Sequence, residues 1–102
     1  MLTVAAYLSR HLLMTEPELC DLDGVLRSFA HRRGWLLRSI YVEQPHTMPA
    51  AFQELVEEAG RSPISAVLIP SLHHLVAIGE PVRIKTHLEE FLGGPVVITG
   101  YS

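Results

Sequence analysis

Cysteine is nearly missing from this chain. Cys20 is the only one, which excludes an internal disulfide and a Cys-rich zinc site and fits a reduced, cytosolic protein. Long apolar runs are missing too. No stretch approaches the roughly 20 residues that a membrane-spanning helix needs. The opening Met1-Leu2-Thr3-Val4 carries no basic leader, and Arg10 and His11 interrupt the apolar stretch that follows, so it does not read as a secretory signal. Positive charge is scarce. Eight basic residues, seven of them Arg with Lys85 alone, stand against eleven acidic ones, for a net charge of -3. That balance excludes a chain-wide nucleic-acid surface and leaves room for a local patch. There is no internal repeat, no low-complexity tract and no linker.

What is present is the composition of one globular domain. The 102 residues are 48% hydrophobic and 19% charged, enough for a single core and too little for two. Thr3 to Leu8 is a two-sided apolar run that suits a strand buried on both faces. Thr15 with Glu18 forms a capping-box pattern, and Pro17 fits a first helical turn. Leu19, Leu22, Leu26, Phe29 and Ala30 then recur at helical spacing, and Gly34 is placed to end the helix. Trp35 to Val42 predicts a second strand. Pro49 to Ala59 predicts a second helix with Phe52, Leu55, Val56 and Ala59 inward and Gly60 at its end. Ile64 to Pro70 is the third strand. A third helix starts near Pro81, with Ile84, Leu88 and Phe91 as its inner stripe and Gly93-Gly94 as its stop. Val96 to Thr99 is the fourth strand, expected at a sheet edge.

The order β-α-β-α-β-α-β predicts an α/β fold: a three-layer α/β/α domain, residues 1–102, around a four-stranded mainly parallel sheet. In such sheets ligands gather beyond the carboxyl ends of the strands. That rule selects Ser9, Arg10 and His11 after strand one, and Glu43 and Gln44 after strand two. It selects Ser71, His73 and His74 after strand three, and Gly100 and Tyr101 after strand four.

Several of these stretches have a familiar order. The chain opens with Tyr7-Leu8-Ser9-Arg10-His11, continues through YVEQPHTMPAAFQELVEEA with Met48-Pro49 before a helix, and reaches AVLIPSLHHLVAIG. It resembles the catalytic domain of serine recombinases, the resolvase/invertase family, over essentially its whole length. That family's first strand ends Tyr-x-Arg-x-Ser with a nucleophilic Ser, an Arg-Pro precedes its middle helix, and its third strand leads into Lys-Leu-Asp-Arg-Leu-x-Arg. The resemblance implies a resolvase-like fold and a role in DNA recombination. Here, however, His11 stands at the Ser position and Ser9 at the nearby Arg. Met48 precedes the Pro, His73-His74 replace Asp-Arg, and Ala77 replaces the last Arg. Shifting the first motif by one residue puts Arg10 on the Arg position but Leu12 on the Ser position. Family chemistry needs a hydroxyl nucleophile and arginines on the phosphate oxygens, and His does not replace a permanently charged planar fork. The family's dimerisation helix and DNA-reading helix-turn-helix would follow the last strand seen here. The expectation is a solitary, non-catalytic recombinase-like domain acting as a protein-interaction or regulatory module in a DNA-associated setting. An active or partner-assisted recombinase domain, with Ser9 as a displaced nucleophile, is the alternative.

Other chemistry is open at the same residues. His11, His73 and Glu43 outline a small-molecule or metal site, but no His-x-x-x-His spacing accompanies them, and no metal or cofactor is expected. Ser9, a histidine and Glu43 sketch a hydrolase triad without the G-x-S-x-G elbow. Arg27, Arg32, Arg33 and Arg38, with His31, form the basic cluster, read either as a phosphate-contact patch or as the solvated end of the first helix. An apolar strand at an uncovered edge points to a homo-oligomer or a protein partner.

Overall fold

The structure is a computed structural model that describes residues 2–100; Tyr101 lies outside the described residues. The strands are β1 (Thr3–Ser9), β2 (Leu36–Glu43), β3 (Ala66–Ile69) and β4 (Val96–Ile98). The helices are α1 (Glu16–Arg32), α2 (Ala50–Arg61) and α3 (Pro81–Leu92). A short 3-10 turn, Leu72–Leu75, follows β3. All three strand pairings are parallel, in the order β2-β1-β3-β4.

That order explains the layers. From β1 to β2 the chain crosses the sheet one way, and from β2 through β3 to β4 it crosses the other way. With right-handed crossovers the reversal places α1 on one face and α2 with α3 on the other. Two cores result. Val4, Ala6, Leu8 and Leu68 pack against Leu22, Leu26, Phe29 and Ala30 of α1. Ala5, Tyr7, Val67 and Ile69 pack against Leu55 of α2 and Leu88 of α3. Alternate residues of β1 and β3 serve opposite cores, so β3 and the stretch of β1 between Thr3 and Ser9 are buried on both faces.

Local signals set the boundaries. The Thr15 hydroxyl accepts the Glu18 N–H and Pro17 lies in the first turn, so α1 begins where the capping box placed it. Gly34, at φ 69°, takes the left-handed position after α1. Gly60 does not end α2, which runs on to Arg61 and stops at Ser62, ahead of Pro63. Phe91 is not an inner residue. It is 54% exposed, with its ring edge towards Gly60 of α2. Between Val4/Ala5 of β1, β2 carries one extra residue, Arg38, as a bulge. Among the described residues no helix is long and apolar enough to cross a membrane.

Candidate functional site

Strand order reverses between β1 and β3, so the crevice at their carboxyl ends is where this fold offers a site. A cleft of about 840 Å³ lies there. Its polar lining includes Ser9, Arg10, His11, Ser71, His73 and His74, which are most of the residues selected by the strand-end rule. Its apolar lining includes Met14 and Leu22 beside α1, Met48 before α2, and Val76 after the 3-10 turn. Leu12 and Leu13 stand at the same cleft, 87% and 86% exposed, more than any other large hydrophobic described.

His74 is the fixed point of this arrangement. It is 5% exposed, and the Ser9 backbone N–H donates to its Nδ1 at 2.9 Å. A nitrogen that accepts carries no proton, so the ring's own donor is Nε2–H. Burial lowers its pKa from 6.5 to about 4, helped by the neighbouring His73 and His11. His11 and His73 are exposed, so of the three strand-end histidines only His74 is buried. The two adjacent histidines diverge: the 3-10 turn sends one inward and leaves the other out. The turn itself has no strong sequence signal, being only Leu72-His73-His74-Leu75.

Arg10 is half-buried and pairs with the far more exposed Glu16 at 3.2 Å. The His11 Nδ1 accepts the Leu13 N–H at 3.2 Å. The Ser71 Oγ is buried with no hydrogen-bond partner among the described residues. Glu18 and Asp21 of α1 complete the charged lining.

Glu43 is not part of the cleft. It is fully buried and its carboxylate is held by three donors. The Tyr7 hydroxyl donates to Oε1 at 2.7 Å, the Phe52 N–H to Oε1 at 3.0 Å, and the Ala51 N–H to Oε2 at 2.9 Å. It caps the start of α2, whose N-cap, Pro49, offers no side-chain acceptor. Burial, with the hydrogen bond to Glu43 and its charge, raises the Tyr7 pKa well above the ordinary value. A ligand set or triad containing Glu43 is thus corrected: its oxygens already serve the fold. Among the described residues no three His, Cys, Asp or Glu side chains gather as a metal-holding group.

The basic cluster divides. Arg27 pairs with Asp23 at 2.6 Å, and the Arg33 guanidinium lies 3.7 Å from the centre of the Phe29 ring. Arg38 turns towards α2 and pairs with Glu58 at 3.2 Å. Only Arg27 and Arg32, with His31 and Trp35, share a shallow groove of about 560 Å³ beside the end of α1. Cys20 is exposed.

Hydroxyl and imidazole groups therefore meet at the strand ends without forming a nucleophile–base pair. The His74 nitrogen that faces Ser9 already accepts that residue's amide proton. Compared with protein-family models, curated proteins and solved structures, the chain matches none of them.

Proposed function

We propose that this chain is a non-catalytic, serine-recombinase-like domain that works as a protein-interaction or regulatory module in a DNA-associated, cytoplasmic setting, with the strand-end cleft as its working surface. The observation that carries the reading is the make-up of the cleft. Its polar side chains lack an activated hydroxyl, and Arg10 is the one guanidinium among them. Phosphoryl transfer through serine needs preorganised charge on the nonbridging oxygens, and each missing donor costs orders of magnitude in rate. In place of that charge the cleft presents Leu12 and Leu13, side by side and solvent-facing. Apolar surface of this kind marks interaction surfaces and ligand-binding grooves.

The recombinase alternative draws on one observation, the presence of Ser9 and Arg10 in the same cleft as three imidazoles. One experiment separates the two. Light scattering of the purified chain, with and without supercoiled plasmid at low salt, is followed by denaturing electrophoresis for a protein–DNA adduct. The module reading expects a defined oligomer that ignores DNA, shifted towards monomer by Leu12→Ser with Leu13→Ser. Salt-sensitive DNA binding with a covalent adduct that Ser9→Ala abolishes overturns it.

A further inference from the structure

We propose that the cleft between the ends of β1 and β3 binds a small amphipathic monocarboxylate. Its carboxylate meets Arg10, Ser71 and His74, and its apolar body lies along Met14, Leu22 and Val76. The proposal rests on the reading of this cleft as a binding surface and names what enters it.

The volume comes first. At about 840 Å³ the cleft falls within the range of small-ligand sites, about 300–1,000 Å³, and it sits where parallel α/β sheets place theirs. The polar groups then decide the head group. Three of those at the strand ends have a donor to offer. Arg10 has only donors, the His74 Nδ1 is already occupied so that Nε2–H is what remains, and the buried Ser71 hydroxyl has no partner to satisfy. The carboxylate nearest in the sheet, Glu43, is spent on α2 and Tyr7. Arg10, the His74 Nε2–H and the Ser71 hydroxyl together offer donors at the strand ends to an acceptor-rich ligand, while the cleft's own carboxylates, Glu18 and Asp21, stand on the α1 wall.

Charge fixes how much negative charge that ligand carries. Arg10 is the one permanent cation in the lining, while Glu18 and Asp21 occupy the α1 wall. A phosphate monoester, near two negative charges at neutral pH, meets one cation and two like charges. A carboxylate meets the same cation with a single charge. Arg10 is also free to change partners. Its ion pair with Glu16 is open to solvent on the Glu16 side, and pairs with one exposed partner are weak and exchangeable. Beyond Ser9, His11 and His73 the rest of the lining is apolar, so the ligand's body is hydrocarbon or aryl rather than sugar.

Sodium octanoate is the probe. It is titrated into the intact chain at neutral pH, with octyl phosphate and octyltrimethylammonium alongside, and followed by amide and imidazole NMR shifts. Saturable one-to-one binding is expected, with shifts concentrated in residues 9–14 and 71–77 and with octanoate the tightest of the three. Arg10→Gln should weaken octanoate by about tenfold or more, the scale of one lost charged hydrogen bond. Ser71→Ala should weaken it without lowering thermal stability, because it removes a hydroxyl that the folded chain does not use. No saturation at millimolar octanoate, shifts scattered over the surface, or equal affinity in folded Arg10→Gln each overturns the carboxylate proposal. A preference for the cationic probe does the same. The module reading itself is overturned separately, by a covalent DNA adduct.

Discussion

At neutral pH His74 is an uncharged ring whose Nδ1 accepts the last amide of β1, and this makes the fold respond to acid. In the unfolded chain the ring protonates near pH 6.5, and in the folded chain only near pH 4. Between those values the unfolded state holds more protons, so stability falls as pH drops, by about 1.4 kcal/mol for each pH unit. Above the window both states are neutral, and below it both are charged, so the slope vanishes at either end. Urea unfolding across this range should show the loss. His74→Asn, which keeps an acceptor near Nδ1 but does not titrate, should remove that component of the slope. The sequence marked this residue as a strand-end histidine but not its burial, because two adjacent histidines look alike until the 3-10 turn sorts them. Glu43 was misread for a related reason. Its strand-end position was legible, but its partners lie eight and nine residues on, in a helix. A clue was present in the Pro49-Ala50-Ala51 start of α2, which brings no Ser, Thr, Asp or Asn to its own first N–H groups. A helix that begins so needs an acceptor from elsewhere in the chain.

Among the elements, those with a strong local code were legible and those shaped by neighbours were not. The capping box and the five-residue apolar stripe of α1 sufficed to locate it. The apolar period in α3 was real, yet it did not report that Phe91 would stay half-exposed beside α2. Glycines show the same division. Gly60 was expected to stop α2 and instead lies within it, where an added Cβ would meet only the rim of Phe91 at 3.9 Å. Gly94 follows α3, and a Cβ there would collide with the backbone carbonyl of Ser65, just ahead of β3. Gly60→Ala should therefore stabilise the chain by about 0.5–1 kcal/mol, through lower entropy of the unfolded state. Gly94→Ala should destabilise it by about 1–3 kcal/mol, since backbone cannot move aside as a side chain can. Thermal melts of the two variants, read side by side, check both signs.

For the molecule as a whole, the alternation of apolar runs and amphipathic stretches was enough to give an α/β chain with a parallel sheet and helices on both faces. The strand order was not readable. It depends on which edge each crossover approaches, and nothing within a strand encodes its neighbour. Yet the strand order determines the site, because the reversal between β1 and β3 is what opens the cleft there. Ser9, Arg10, His11, Ser71, His73 and His74, chosen by the strand-end rule, are thus gathered by topology, whereas Glu43 faces α2 and Gln44 and Gly100 do not line the cleft.

The extra residue in β2 has its own consequence. Val4 pairs with Leu37 and Ala5 with Ser39, so removing Arg38 would join two registers that already agree. Every remaining side chain of β2 would keep its face, and the main loss would be the half-exposed ion pair to Glu58, about 0–1 kcal/mol. What would change is the outer border of the sheet. A bulged edge that strangers pair with poorly would become a straight, regular one. A chain shortened by that one residue should therefore melt close to the parent, yet clump sooner on standing, with a rise in thioflavin fluorescence. In this molecule Arg38 would then serve less to hold the fold together than to keep other chains off it.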